Sequence, residues 1–115
     1  GNCVKKLTLQ YAKLFNAMDI EPLKQMLLPE VSLEDSFTPK ISGFEPVVDF
    51  YTSLFKSVKV LHFEPQKIAL VDKDTSMIRF KLQLDENYYE GVDILKFRSS
   101  KLLSLSAYLH KKNMV

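Results

Sequence analysis

From residue 4 to residue 18 the apolar side chains fall at Val4, Leu7, Tyr11, Leu14, Phe15 and Met18, the three-four spacing of one helical face. Lys5, Lys6, Gln10 and Lys13 take the rest of the wheel, so the segment predicts an amphipathic helix ended by "NAMD". Asp19 is placed to cap a short second helix through "IEPLKQMLL", with Pro22 in its first turn, where a missing N–H is tolerated. "VSLED", residues 31 to 35, reads as a short extended piece. A third helix opens at "SGFE", where Ser42 and Glu45 have the spacing of a capping box. It runs to residue 57, with Val47, Val48, Phe50, Tyr51, Leu54 and Phe55 toward one side.

The second half changes period. Stretches at roughly 59 to 71, 75 to 84, 88 to 97 and 101 to 110 alternate or are β-rich, separated by "DKD", "DEN" and "RSS". Connections this short make consecutive antiparallel neighbours. Ile78, Phe80, Leu82 and Leu84 point one way and Arg79, Lys81 and Gln83 the other; Leu103, Leu105, Ala107 and Leu109 oppose Ser104, Ser106 and Tyr108. Helices followed by strands give an α+β fold: three N-terminal helices packed in the concave face of one curved, mainly antiparallel, four-stranded sheet.

Composition narrows the function classes more than it selects among them. The 115 residues, 46% apolar and 26% charged, suit one domain spanning residues 1 to 115. A net charge of +2 with scattered basic residues argues against nucleic acid, and no apolar run is long enough to span a membrane. The single cysteine, Cys3, excludes an internal disulfide and makes the reduced cytoplasm the expected compartment. Gly1 stands where a methionine would and reads as a cleavage scar from expression. His62 and His110 are far apart in sequence and no metal-ligand set, phosphate cradle or nucleophilic triad assembles, so neither metal nor cofactor is expected.

One residue breaks the pattern of its strand. In "YYEGVDILKF" Asp93 shares a face with Gly91, Leu95 and Phe97, the face assigned to the helices. A carboxyl there holds its proton more readily than it bears a charge, and a protonated acid is a hydrogen-bond donor. Tyr11 carries the polar tip on the buried stripe of the first helix, and Asp35 ends "SLED". Taken singly, each has a plainer reading: a solvent-facing or turn-capping Asp93, a core tyrosine and a turn aspartate.

The three come together through a resemblance. From "QYAKLFNAMDIEPLKQML" through "VSLEDSF" and "ISGFEPVVDFY" to "VDILKF" and "LSAYLHKKN" the chain resembles the ketosteroid isomerase branch of the cone-shaped superfamily. That superfamily also holds nuclear transport factor 2, SnoaL-type polyketide cyclases and limonene epoxide hydrolase. Tyr11 before "NAMD" is similar to the isomerase tyrosine before "NAGD", Asp35 to the base ending "VED", and Asp93 to the second acid in "IDHF". Ser36 and Phe37 depart from the proline and valine that follow the base in isomerases, and Leu27 stands where some members have a supporting tyrosine.

The resemblance implies an isomerase or cyclase that moves a proton next to a carbonyl. Asp35 would be the ionised base, and Tyr11 with protonated Asp93 would donate to the developing oxyanion. Tyr51, Phe55, Phe80, Leu82, Leu95, Phe97, Leu103 and Leu105 are the expected lining for a small apolar carbonyl compound of steroid or polyketide kind. Two alternatives stand beside it: a ligand-binding module without turnover, and a protein-interaction domain with a filled pocket. An apolar outer sheet face, with Val92, Ile94 and Tyr108, adds the expectation of a homodimer.

Overall fold

The first predicted helix forms as α1 (Asn2–Ala17) in a computed structural model that describes residues 2–113; the reading of Gly1 lies outside the described residues. Its last turn is tied down by Asn16. The Asn16 side-chain NH₂ donates to the Phe63 carbonyl (2.7 Å), and its Oδ1 accepts from the Phe63 N–H (2.6 Å). Asp19 caps α2 (Ile20–Lys24) as expected, accepting from the Glu21 N–H at 3.0 Å. Farther back on α1, the fully buried Thr8 hydroxyl donates to the Val4 carbonyl and lies 2.6 Å from the Ser76 hydroxyl, a polar contact inside an otherwise apolar seam.

The second helix is shorter than its apolar run suggests. Leu27 and Leu28 already belong to β1 (Leu27–Asp35), because Pro29 disfavours helical backbone at the residue before it and the Met26 carbonyl instead accepts from Leu102 N–H. The expected piece at residues 31 to 35 is therefore the second half of a longer strand. A further strand, β2 (Thr38–Ser42), pairs antiparallel with β1 and has no counterpart in the hydrophobic pattern. It is an edge strand, with only partial burial along its length.

Helix α3 (Phe44–Ser57) begins one residue later than the capping box requires. Ser42 is still paired with Ser32 in the sheet, so Gly43 takes the N-cap position at φ +100° with no side-chain cap. Its N–H donates to the Val31 carbonyl at 2.8 Å, which locks the helix start onto β1. Glycine carries that backbone without a Cβ penalty.

Strands β3 (Leu61–Leu70), β4 (Thr75–Leu84), β5 (Asn87–Arg98) and β6 (Lys101–Lys112) form the expected antiparallel succession. Ser99 and Ser100 both take positive φ between β5 and β6, as a two-residue hairpin of the primed type demands. Pro65 sits in β3, an edge strand, where a missing N–H breaks no inner ladder. Among the described residues the sheet has six strands in the order β2-β1-β6-β5-β4-β3, not four, and its β1–β6 pair is parallel. Tyr11, Phe15, Val47, Tyr51, Phe63, Ile78, Phe80 and Leu95 belong to one core between the helices and the concave face.

A register shift corrects one face assignment. Phe97 pairs with Leu102 and Lys96 with Ser104, leaving Leu103 as the extra residue of a bulge. Leu102 is consequently 1% exposed and fills the core, while Leu103 is only half-buried. Beyond the bulge Leu105 and Ala107 return to the inner face as expected.

Candidate active site

Asp93 lies on β5 between Ile78 of β4 and Ala107 of β6. At 4% exposure its carboxyl is walled in by neighbours and opens onto a cavity of about 160 Å³ that Tyr11, Asp35 and Tyr51 also line. Burial pushes its pKa from the ordinary 3.8 up to about 8, and the charge of Asp35 adds to the rise. The carboxyl accordingly keeps its proton at neutral pH and faces the cavity as a donor.

Tyr11 reaches the same space from α1. Its hydroxyl is 2.7 Å from that of Tyr51 on α3, and the two rings meet edge to face with centroids 6.5 Å apart. Burial raises the pKa of both phenols, most strongly through lost hydration, and Asp93 raises both further. Neither phenol therefore ionises near neutral pH. In such a pair one hydroxyl donates to the other, and the accepting one has its own proton left for the cavity.

Asp35 ends β1 and has two duties. Its Oδ1 accepts the Phe37 N–H at 2.7 Å, closing the β1–β2 turn, which is the plainer reading of this aspartate. The same residue lines the cavity in the strand row that Ala107 shares with Asp93, and its Oδ2 is not used by that turn. The neighbouring Ser36 hydroxyl oxygen accepts the Leu109 N–H at 3.0 Å, so the turn is pinned to β6.

The lining differs in part from the sequence expectation. Tyr51, Phe80, Leu82 and Leu105 line the cavity; Phe55, Leu95, Phe97 and Leu103 do not. Leu95 and Phe97 lie farther along β5, in close-packed core, because the cavity opens on the Gly91 and Tyr89 side of Asp93. Phe55 packs outside it on Phe15 and Tyr51, ring centroids 5.9 and 6.0 Å away, and the bulge takes Leu103 off the inner phase. Residues outside the expected lining take their places: Phe15, Phe50 and Leu54 from the apolar helical faces, together with Phe63, Phe37 and Tyr89. Phe37 left a signal, a large apolar side chain in the polar turn "EDSFTP". Tyr89 is in the same strand phase as Gly91 and Asp93.

Among the described residues no three His, Cys, Asp or Glu side chains group so as to hold a metal ion, and no helix is long and apolar enough to cross a membrane. The chemistry on offer is an acid, a phenol pair and a carboxylate around an apolar space.

A family model described as a SnoaL-like domain matches residues 8–104. No curated protein sequence matches the chain. Solved structures share the fold at low identity. A steroid delta-isomerase from Pseudomonas aeruginosa superposes with a TM-score of 0.76 at 13% identity, over 96% of this chain and 81% of that one. SalBIII, an epoxide hydrolase/cyclase-like enzyme of pyran ring formation in the polyether salinomycin, gives 0.82 at 12%, over 93% and 90%. An NTF2-like protein of unknown function from Cytophaga hutchinsonii gives 0.80 at 10%, over 93% and 89%. These likenesses support the cone fold of three helices and a curved mixed sheet.

Proposed function

The chain belongs to the SnoaL-like domain family, and from that premise we propose that it moves a proton next to a carbonyl on a small apolar ring compound. Asp35 takes the proton from the carbon beside the carbonyl, and the electron pair moves onto the carbonyl oxygen. That oxygen, now an oxyanion, receives hydrogen bonds from protonated Asp93 and from the Tyr11 hydroxyl, which Tyr51 holds in place. In a β,γ-unsaturated substrate the enolate is a dienolate, and Asp35 returns the proton at its γ-carbon while the double bond moves into conjugation, so the net change is an isomerisation with no cofactor.

The observation that carries this reading is Asp93: a buried acid, its pKa raised to about 8, in one cavity with the carboxylate of Asp35. A filled interior would favour a protein-interaction role instead, whereas an open cavity with both acids suits turnover or ligand binding. Proton exchange separates these two. A β,γ-unsaturated cyclic ketone is incubated in deuterated water and its α-protons are followed by NMR. Exchange faster than buffer alone, and lost in Asp35→Asn, supports turnover. A ketone that binds yet neither exchanges its α-protons nor shifts its double bond into conjugation faster than in buffer overturns turnover and leaves a ligand-binding module.

A further inference from the structure

We infer, building on the proton-transfer reading, that the ligand is a single-ring carbonyl compound and that Phe37 is the residue that sets this limit. The cavity measures about 160 Å³. An apolar cavity of roughly 150 Å³ takes one benzene, whereas pockets for drug-sized molecules run from roughly 300 to 1,000 Å³. A fused four-ring skeleton therefore does not fit within the space beside Asp93 and has to extend beyond it.

The space has little freedom to lengthen inward. Phe63 packs on Phe80 with ring centroids 4.9 Å apart and on Phe15 at 5.4 Å, so tightly fitted rings close the inner end. A larger ligand would have to extend outward past Phe37. That ring is 64% exposed and meets Tyr89 edge to face, with centroids 6.1 Å apart. Such a pair across a cavity wall narrows the exit for anything longer than one ring.

Phe37 is held there by backbone. Its N–H is bonded to Asp35 Oδ1, and Ser36 beside it is bonded to the Leu109 N–H of β6. The turn is anchored at two points, so the backbone that carries the ring is fixed at the rim. A single ring seated between Asp93 and Asp35 would also cover the exposed face of Phe37 and add apolar contact. The same turn thus holds one oxygen of the base and limits what reaches it.

Three phenols of similar acidity test the size limit, because they present the same oxygen to the donors: phenol, 2-naphthol and estradiol, titrated by calorimetry into the wild type and Phe37→Ala. Phe37 is exposed, so its truncation leaves the core intact. The wild type is expected to bind phenol and to bind estradiol at least about tenfold more weakly; Phe37→Ala is expected to shift the ratio toward estradiol by about tenfold. Estradiol binding as tightly as phenol, no binding by any of the three, or an unchanged ratio in the variant would each overturn the inference. Proton exchange is read separately on single-ring and four-ring ketones. Size-selective binding with neither exchange nor isomerisation removes the proton-transfer reading and leaves the size limit standing; equal exchange or isomerisation of both ketones removes the size limit and leaves proton transfer.

Discussion

The hydroxyls of Tyr11 and Tyr51 meet at 2.7 Å, joining α1 to α3 at the wall of the cavity that holds Asp93. Two buried phenols in contact share one proton between them, and the other proton is available to a ligand. Tyr51→Phe leaves the Tyr11 hydroxyl buried without its partner and is expected to cost about 1–3 kcal/mol in urea unfolding. Tyr11→Phe is expected to lower turnover by about 10²–10³-fold, the scale for loss of one oxyanion donor. In turnover, the double variant should lose less than the product of the two single-variant losses measured in the same assay, because the pair acts as a unit.

Asp93 gives stability a pH dependence whose sign follows from its raised pKa. Between the ordinary value of 3.8 and the folded value of about 8, the folded chain holds a proton that the unfolded chain has released. Stability then falls as pH rises through that window, by about 1.4 kcal/mol per pH unit. Asp93→Asn has nothing to titrate, so its urea midpoint is expected to stay flat where the wild type declines. Turnover of the wild type should also fall above about pH 8 as the donor becomes a second negative charge in the cavity.

Asp35→Asn is expected to abolish proton exchange while leaving phenol bound, or bound more tightly, since a negative charge facing the phenolate oxygen is gone. The charge of Asp35 is the second cause of the raised Asp93 pKa. The variant should therefore titrate Asp93 at lower pH than the wild type does, which NMR of the labelled carboxyl would measure. An Asp93 titration that does not move would separate the two acids electrically and count against one shared site.

What the sequence made legible follows a physical line. The helical face of Val4, Tyr11 and Phe15 and the alternation of β4 are strong periodic signals over ten or more residues, and both formed. The partly buried edge strand β2 has no such period and was invisible. Leu27 and Leu28 read equally well as the end of a helix or the start of a strand, and only Pro29 spoke for the strand. Leu103 shows how little it takes to move a face: one extra residue opposite Phe97 turned the inner side chain from Leu103 to Leu102. Tyr11, Asp35 and Asp93 were readable because each is a polar group on an apolar pattern or at its end. Which apolar groups touch the cavity was not, since that depends on where the curved sheet leaves the helices, and four of the eight expected lining residues lie elsewhere.

The outer face of the sheet carries the expectation of a homodimer. Tyr108 is 62% exposed there and pairs across the ladder with Val92, next to the half-buried Ile94. Light scattering at micromolar concentration is expected to give a dimer mass, and Tyr108→Glu to shift it toward the monomer by placing like charges opposite each other. A monomeric wild type would remove the expectation.

Gly91 is expected to tolerate no side chain, for a reason that reaches the site. It lies between Phe80 of β4 and Leu109 of β6, one inward position from Asp93. A Cβ built there stands 2.1 Å from the Tyr108 carbonyl oxygen and 2.6 Å from Leu109 Cα, both backbone atoms, so β5 and β6 must move apart to admit it. Overpacking of this kind costs about 1–3 kcal/mol. Gly91→Ala should lower the urea midpoint with little change in slope. Because the displaced strands carry Asp93, Ala107 and Leu109, all of them cavity-lining, phenol affinity should fall as well. Gly43→Ala is the matching control. Its cost is backbone strain at φ +100° with the nearest atom, Pro46 Cδ, at an ordinary 3.6 Å, so it should destabilise the start of α3 and leave phenol affinity unchanged. Equal loss of affinity in both variants would mean that phenol binding follows global stability and not the spacing of β5 and β6 beside Asp93.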